Sequence, residues 1–315
     1  MVTAADTLAD AHRAMVEGCA LVDRSERGKL ALSGAEAKEF LHGQVTNDIE
    51  ALREGTGCYA AFLTHKGKML GDLRILDLGD ELFLDTERVA LQELFNMIRR
   101  YKLGRDVELH KRTLERGLLS VIGPDARAAA GAGALGRDEH DSAPGEIGGV
   151  PVHLVATADG VDVICDGERT EEVKRALDVP EVSDAAAEVV RVEAGRPRYG
   201  LDLDESVIPQ EAGLNERAVS FTKGCYVGQE TVARLYYRGK PNRHLRGLRL
   251  SEPAATGDAL RLGDREVGRL GSSVVSPALG PLGLAIVRRE AAPGDTVAVG
   301  DGGATAVVAE LPFRA

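Results

Sequence analysis

The sequence predicts an α+β protein that closes with a small β-barrel, and three observations carry that reading. Strand-like and helix-like segments are mixed without a steady β-α-β alternation, which disfavours a doubly wound parallel sheet. Beyond Asn242 the texture changes to short apolar runs between Gly, Pro and Asp turns, the pattern of a compact all-β unit. The chain has 315 residues, 43% of them hydrophobic and 28% charged, enough for roughly two domains with buried cores.

In chain order, a helix is expected over 7–17, a strand over 29–32 and a helix over 35–42, with Ser33-Gly34 as its turn. Strands follow at 57–64, 69–78 and 81–85, separated by Lys66-Gly67 and Gly79-Asp80 turns. Leu91, Leu94, Phe95 and Ile98 recur at i, i+3, i+4 and i+7, which predicts a helix over 87–101. Further strands are expected at 107–110, 118–122, 150–156 and 161–165, and helices at 171–177 and 185–194. The Ala- and Gly-rich stretch 126–149 reads as a short helix and a variable loop. Six apolar runs at 245–250, 259–262, 265–270, 282–288, 296–299 and 304–310 supply the barrel. A boundary near Pro241 divides the chain into 1–241 and 242–315.

A formal charge of −11 argues against a general nucleic-acid or anionic-membrane surface. No apolar run approaches the ~20 residues of a membrane helix, and the first residues lack a signal-peptide pattern. Cys19, Cys58, Cys165 and Cys225 lie far apart with no CxxC. Free thiols in a reducing cytoplasm are therefore expected, with no structural zinc or disulfide framework.

The densest chemistry lies in Lys223-Gly224-Cys225-Tyr226-Val227-Gly228-Gln229-Glu230. Gly224 and Gly228 allow backbone amides to approach a ligand closely. An ammonium two residues before the thiol would favour the thiolate. A tight turn leading into a helix, with Cys225 as a small inert hydrophobe, fits the same spacing. From 223 to 249 there are seven basic residues (Lys223, Arg234, Arg238, Lys240, Arg243, Arg246, Arg249) against one acid, Glu230. A second run, 99–112, sets six basic residues against Asp106 and Glu108. Such runs are either solvated faces or a local site for carboxylates, phosphate or a short piece of RNA. Glu193 ends a helix whose apolar face carries Val189, Val190 and Val192. It is either an ordinary helix-terminal Glu or an acceptor for two hydrogen bonds from a flat heterocycle with amino and ring N–H donors.

Taken together, these strings resemble the folate-binding YgfZ proteins, a branch of the larger family that includes the glycine cleavage T-protein. The signature K-G-C-[FY]-x-G-Q-E stands unbroken at 223–230, and R-x-E-A-G-x-P-x-Y-G-x-D and P-Q-E-A-G-L stand at 191–202 and 209–214. Residues 34–48 look like the family's G-x-[DE]-A-x-x-F-L-x-G-x-x-T-N-D, and 268–280 resemble its barrel. The resemblance implies a GcvT-like cloverleaf of three subdomains around a central channel: two interleaved α+β subdomains within 1–241, and a barrel within 242–315. It also implies tetrahydrofolate or a derivative as ligand, with Glu193 at the pterin. Basic residues, Arg234 among the candidates, would meet the carboxylates of the folate tail. Tyr199 and Tyr226 are candidate walls for the pterin or aminobenzoate rings, with core packing an equal alternative for each.

One departure separates activities. The aminomethyltransferases of this family carry an Asp-Asp-Leu-Ile-Val string whose first Asp supports catalysis, whereas the matching string here is Gly71-Asp72-Leu73-Arg74-Ile75. Neighbouring strand residues face opposite sides, so Asp72 cannot simply stand in. The resemblance therefore implies a cytoplasmic folate-binding accessory protein in iron–sulfur cluster assembly or repair, and through it in tRNA thiolation. Cys225 would be the functional thiol, Lys223 its activator, and Gly224 and Gly228 the shapers of the pocket. Its implied partners are the folate and iron–sulfur proteins or their assembly factors. A tetrahydrofolate-dependent one-carbon transferase is the second reading. An RNA-contacting module is the third, and it lacks aromatics at RNA-module spacing.

Overall fold

A computed structural model describes residues 7–313, which form two compact units. The first holds the described residues up to Phe62, then Leu70–Ala187 and Arg217–Val227. The second holds Leu63–Met69, Glu188–Glu216 and the residues from Gly228 onward, so the barrel shares its unit with segments well before 242.

The first unit opens with α1 (Leu8–Glu17), β1 (Ala20–Asp23), β2 (Gly28–Ser33) and α2 (Ala37–His42). Thr7 caps α1 by accepting the Asp10 amide. Then come β3 (Gly57–Leu63), β4 (Met69–Asp77), β5 (Leu82–Thr86), α3 (Leu91–Tyr101), β6 (Glu108–Lys111), β7 (Arg116–Ile122) and α4 (Ala126–Ala129). β8 (Ser142–Ile147), β9 (Val150–Thr157), β10 (Gly160–Asp166) and α5 (Thr170–Leu177) follow. The strands form two five-stranded sheets, ordered β1-β7-β10-β9-β8 and β3-β4-β5-β2-β6.

Up to α5 the element types agree with the sequence pattern, with three differences. β1 was not expected, because four residues between a helix and a strand give too short a period to read. β8 occupies the end of the stretch expected to be a loop. Its Pro144 is tolerated because β8 is an edge strand, paired only with β9. α3 starts at Leu91, four residues late, because 87–90 form a turn in which the Ala90 amide bonds Glu87 O.

Leu76 and Phe83 of one sheet share an apolar cluster with Leu118, Val155 and Ile164 of the other. Within this contact Arg74 on β4 is buried between two carboxylates. It donates to Asp85 on β5 and to Asp162 on β10, each at 2.6 Å, and Ser120 Oγ supplies a further bond to Asp162 at 2.6 Å. Burial alone would raise the Asp85 carboxyl, but the Arg74 and Arg27 guanidinium groups overcome it and bring it down to about 2.

After α6 (Asp184–Glu193), α7 (Asn215–Ala218) and α8 (Gln229–Arg238), the second unit is built on β11 (Arg243–Leu250), β12 (Ala259–Leu262), β13 (Arg265–Ser276), β14 (Gly280–Arg288), β15 (Thr296–Val299) and β16 (Ala304–Ala309). These six strands close into a barrel in the order β11-β14-β13-β12-β15-β16. Alternate side chains, including Leu248, Leu260, Leu270, Val287, Val297 and Val308, fill its interior. No helix among the described residues is long and apolar enough to cross a membrane.

Replacing Arg74 by Met would leave Asp162 and Asp85 buried without the cation between them. Urea denaturation of Arg74→Met should show a loss of about 3–5 kcal/mol. A loss under ~1 kcal/mol would mean that the cation is not what holds the two sheets' carboxylates.

Candidate functional site

Of the sequence-predicted residues, Lys223, Gly224, Cys225 and Tyr226 lie in the first unit, and Glu193, Tyr199, Gly228 and Arg234 in the second. The loop before Gly228 is fixed by the T-N-D segment. Thr46 Oγ1 donates to Ala218 O at 2.6 Å, the Ser220 amide donates to Thr46 O at 2.9 Å, and Asn47 Nδ2 reaches Tyr59 O on β3 at 2.8 Å. Lys223 completes the attachment. Its side chain is buried, and Nζ donates to the carbonyls of His42, Val45 (2.7 Å) and Asn47 (2.8 Å). The Tyr226 ring lies 5.1 Å from the same ammonium. Burial pushes the Lys223 ammonium down to about 8, against the pull of Asp48, the Cys58 thiol and Glu50.

This placement changes the part expected of Lys223. Its hydrogen bonds go to backbone carbonyls and none joins it to Cys225, so it anchors the loop instead of pairing with the thiol. The thiol whose ionisation it touches is Cys58, which burial nevertheless pushes up to about 12. Cys165 is buried, Cys19 and Cys58 are half-buried, and Cys225 is exposed. Exposure and a fixed loop make Cys225 the thiol that a partner or substrate can reach. Gly224 is exposed beside it. Tyr226 is buried, and its hydroxyl is pushed up to about 12 by burial, consistent with a packing role.

Gly228 is a structural requirement. It adopts φ +85° before α8, and a Cβ there would stand 2.5 Å from Thr64 O. Arg234 lies exposed on α8 with no ion pair among the described residues. Much of the basic run is committed elsewhere: Arg243 pairs with Glu211 at 2.8 Å, Arg246 with Glu310 at 3.1 Å, and Arg249 lies over the Phe313 ring.

Glu193 ends α6, whose Val192 is buried against Leu282, Leu284 and Phe313. Ser276 at the end of β13 donates its hydroxyl to Glu193 Oε1 and accepts the amides of Ala278 and Leu279. The conspicuous neighbours Arg191 and Asp202 turn out to be framework. Arg191 binds Asp202 at 3.0 Å and Glu188 at 2.7 Å, and Asp202 accepts the Ser272 amide at 2.7 Å. Tyr199 is half-buried and forms a β-bridge with Leu203.

Gly71 is filled space. A Cβ there would come within 2.6 Å of the Phe62 ring and 2.7 Å of Ala90 Cβ. Asp72 faces the other side of the strand, where Tyr59 donates to it at 2.6 Å, and burial raises its carboxyl to about 6. Sequence reasoning quoted the T-N-D string but gave its residues no part, and Ser276 likewise. The signal was a polar triplet, Thr46-Asn47-Asp48, beginning four residues past the His42 end of α2.

Lys223 gives a pH signature. Its folded value, about 8, lies below the ~10.4 of an unfolded lysine. The unfolded chain therefore holds the extra proton between those values, and the group's contribution to stability grows as pH rises through that window. Melting curves should show wild type gaining on Lys223→Met between pH 7.5 and 9.5. An unchanged gap would contradict a buried, depressed ammonium.

Comparison with known proteins agrees with this architecture. Residues 2–158 match the GCVT N-terminal domain. A chloroplastic Arabidopsis thaliana protein with a provisional transferase name is 29% identical over 321 residues, 97% of this chain and 74% of its own. The aminomethyltransferase of Staphylococcus carnosus is 25% identical over 303 residues, 90% of this chain and 83% of its own. The crystal structure of the glycine cleavage system aminomethyltransferase T from Bartonella henselae superposes with a TM-score of 0.88, covering 99% of this chain and 91% of that one at 22% identity, a likeness of fold. The N-terminal half of the chain thus resembles a GCVT N-terminal domain, and the whole chain has the aminomethyltransferase-like α+β fold with a six-stranded barrel.

Proposed function

We propose that the protein is a YgfZ-type folate-binding accessory factor for iron–sulfur cluster assembly or repair, and through it for tRNA thiolation, with Cys225 as its functional thiol. The observation that carries this reading is an exposed thiol on a firmly anchored loop. Beside it stands the departure that the resemblance implies: Gly71, closed by Phe62 and Ala90, where the aminomethyltransferases are expected to carry a carboxylate.

The residues of the barrel unit suit a reduced pterin. Glu193 offers a carboxylate acceptor held in orientation by Ser276. Gln210 Oε1 and Asn215 Oδ1 are buried in the same unit with no hydrogen-bond partner among the described residues. Unpaired buried acceptors are costly unless a ligand's donors meet them, and a pterin offers amino and ring N–H donors. Arg234 is an exposed cation for the carboxylates of a folate tail. When bound, tetrahydrofolate would supply amine nitrogens able to carry or accept a one-carbon unit. Glu193 orients the ring, Lys223 holds the thiol loop, and Cys225 presents the nucleophile.

A second reading, a tetrahydrofolate-dependent one-carbon transferase, draws support from the names of the relatives. The crowding at Gly71 weighs against its aminomethyltransferase form.

Calorimetric titration with tetrahydrofolate should show binding by wild type and a loss of about 10-fold or more in Glu193→Ala, as expected for a hydrogen bond to a charged group. No binding by wild type would overturn the folate assignment. Methylenetetrahydrofolate formed by the purified protein from an aminomethyl donor would replace the accessory role with the transferase.

A further inference from the structure

The role proposed above leaves the last turns of α8 without a part. Val232 is buried there and Leu235 half-buried, whereas Arg234, Tyr236, Tyr237 and Arg238 are exposed, as is Lys240 just past the Gly239 cap. Tyr236 is 48% and Tyr237 66% exposed, the most of any described Phe or Tyr, and their ring centroids stand 5.0 Å apart edge to face. Tyr237 and Arg238 follow Arg234 at i+3 and i+4, which puts all three on one face of the helix. Arg238 and Lys240 make no ion pair among the described residues.

A second basic element reaches the same helix within the barrel unit. The turn at 64–68 closes with the Thr64 amide on Lys68 O at 2.8 Å and packs on the start of α8. A Cβ on Gly67 would lie 2.9 Å from Thr231 Cβ, three residues before Arg234. Next to Gly67 stands Lys66, exposed and with no ion pair among the described residues. The helix carries one acid, Glu230, one turn before Arg234, and it too makes no ion pair among them. Lys66, Arg234, Arg238 and Lys240 thus gather in one part of a chain whose formal charge is −11.

Such a local excess of cations attracts a polyanion. An acidic peptide would use the cations alone and leave both rings in water. A single-stranded nucleic acid offers phosphates to the cations and flat bases to the rings, and stacking of bases on aromatic side chains is what single-strand sites add to charge. We propose that the exposed face of α8, with the 64–68 turn, binds a single-stranded segment of RNA or DNA. Lys66, Arg238 and Lys240 meet its phosphates, and its bases stack on Tyr237 and Tyr236. This activity goes beyond the folate role and does not depend on it. Arg234, assigned above to the folate tail, borders the face and is left unchanged in the test.

The test is fluorescence anisotropy of labelled oligo(U) RNA and oligo(dT) DNA of about 12 nucleotides, read first at about 50 mM salt. Wild type should bind, with log K falling against log salt at a slope of about −2 to −3, as expected for ~3–4 phosphate contacts on a single strand. The ratio of the two affinities distinguishes RNA from DNA as the ligand. Tyr237→Ala should weaken binding by about 5-fold or more, while Tyr237→Phe, which keeps the ring, should bind as wild type does. Arg238→Gln combined with Lys240→Gln should weaken binding and flatten the slope by about 1. Melting temperatures check that each variant is folded. The absence of binding by wild type at low salt overturns the proposal. Binding that Tyr237→Ala leaves unchanged, and that a polyglutamate peptide displaces, also overturns it and assigns the face to acidic chains. Tetrahydrofolate titration of the wild-type sample is read separately, so a failure of either assignment leaves the other standing.

Discussion

The Lys223 ammonium has left water and holds three backbone carbonyls in exchange, those of His42, Val45 and Asn47. Burying a charge is costly unless its donors are all satisfied, and three carbonyls match three N–H bonds. Two segments about 180 residues apart in the chain are thereby closed onto each other. Much of what is distinctive about the first unit depends on this closure: the position of Tyr226, the exposure of Cys225, and the approach of Gly224 to His42. A lysine reads from sequence as an exposed charge, and here it is a clasp.

The second unit shows a similar division between framework and function. Arg191, Glu188, Asp202 and Ser272 form a connected set of charged and hydroxyl bonds that ties the α6 end to β13 of the barrel. Glu193, two residues beyond Arg191, is then held by Ser276 at the far end of the same strand. The strongest charges of that motif, Arg191, Glu188 and Asp202, stabilise one another.

The fold was largely legible because its signals are local: the 3.6-residue spacing of α3 and the turn-separated apolar runs of the barrel. What escaped had weak local patterning. β8 carries Pro144 and Gly145 and is a strand only because β9 pairs with it. At the site, the residue types were legible and their partners were not. Lys223 stands two positions before Cys225 in the chain, yet its bonds lie with 42–47. His42 gave no sequence signal as a neighbour of Gly224, since that approach is made by the Lys223 clasp. The basic run was legible as composition, but Glu211 and Glu310 neutralise part of it through contacts that spacing does not encode.

At Gly71, Phe62 and Ala90 occupy the volume a side chain would need. On the proposed reading this is where the aminomethyltransferases would carry a carboxylate, and the exposed thiol is the reactive group on which the proposed role turns. The most direct test of that role is the activity of an iron–sulfur tRNA-thiolating enzyme in cells whose only copy of this chain carries Cys225→Ala. Activity as low as in cells lacking the chain is expected; activity at the wild-type level would contradict the assignment of Cys225.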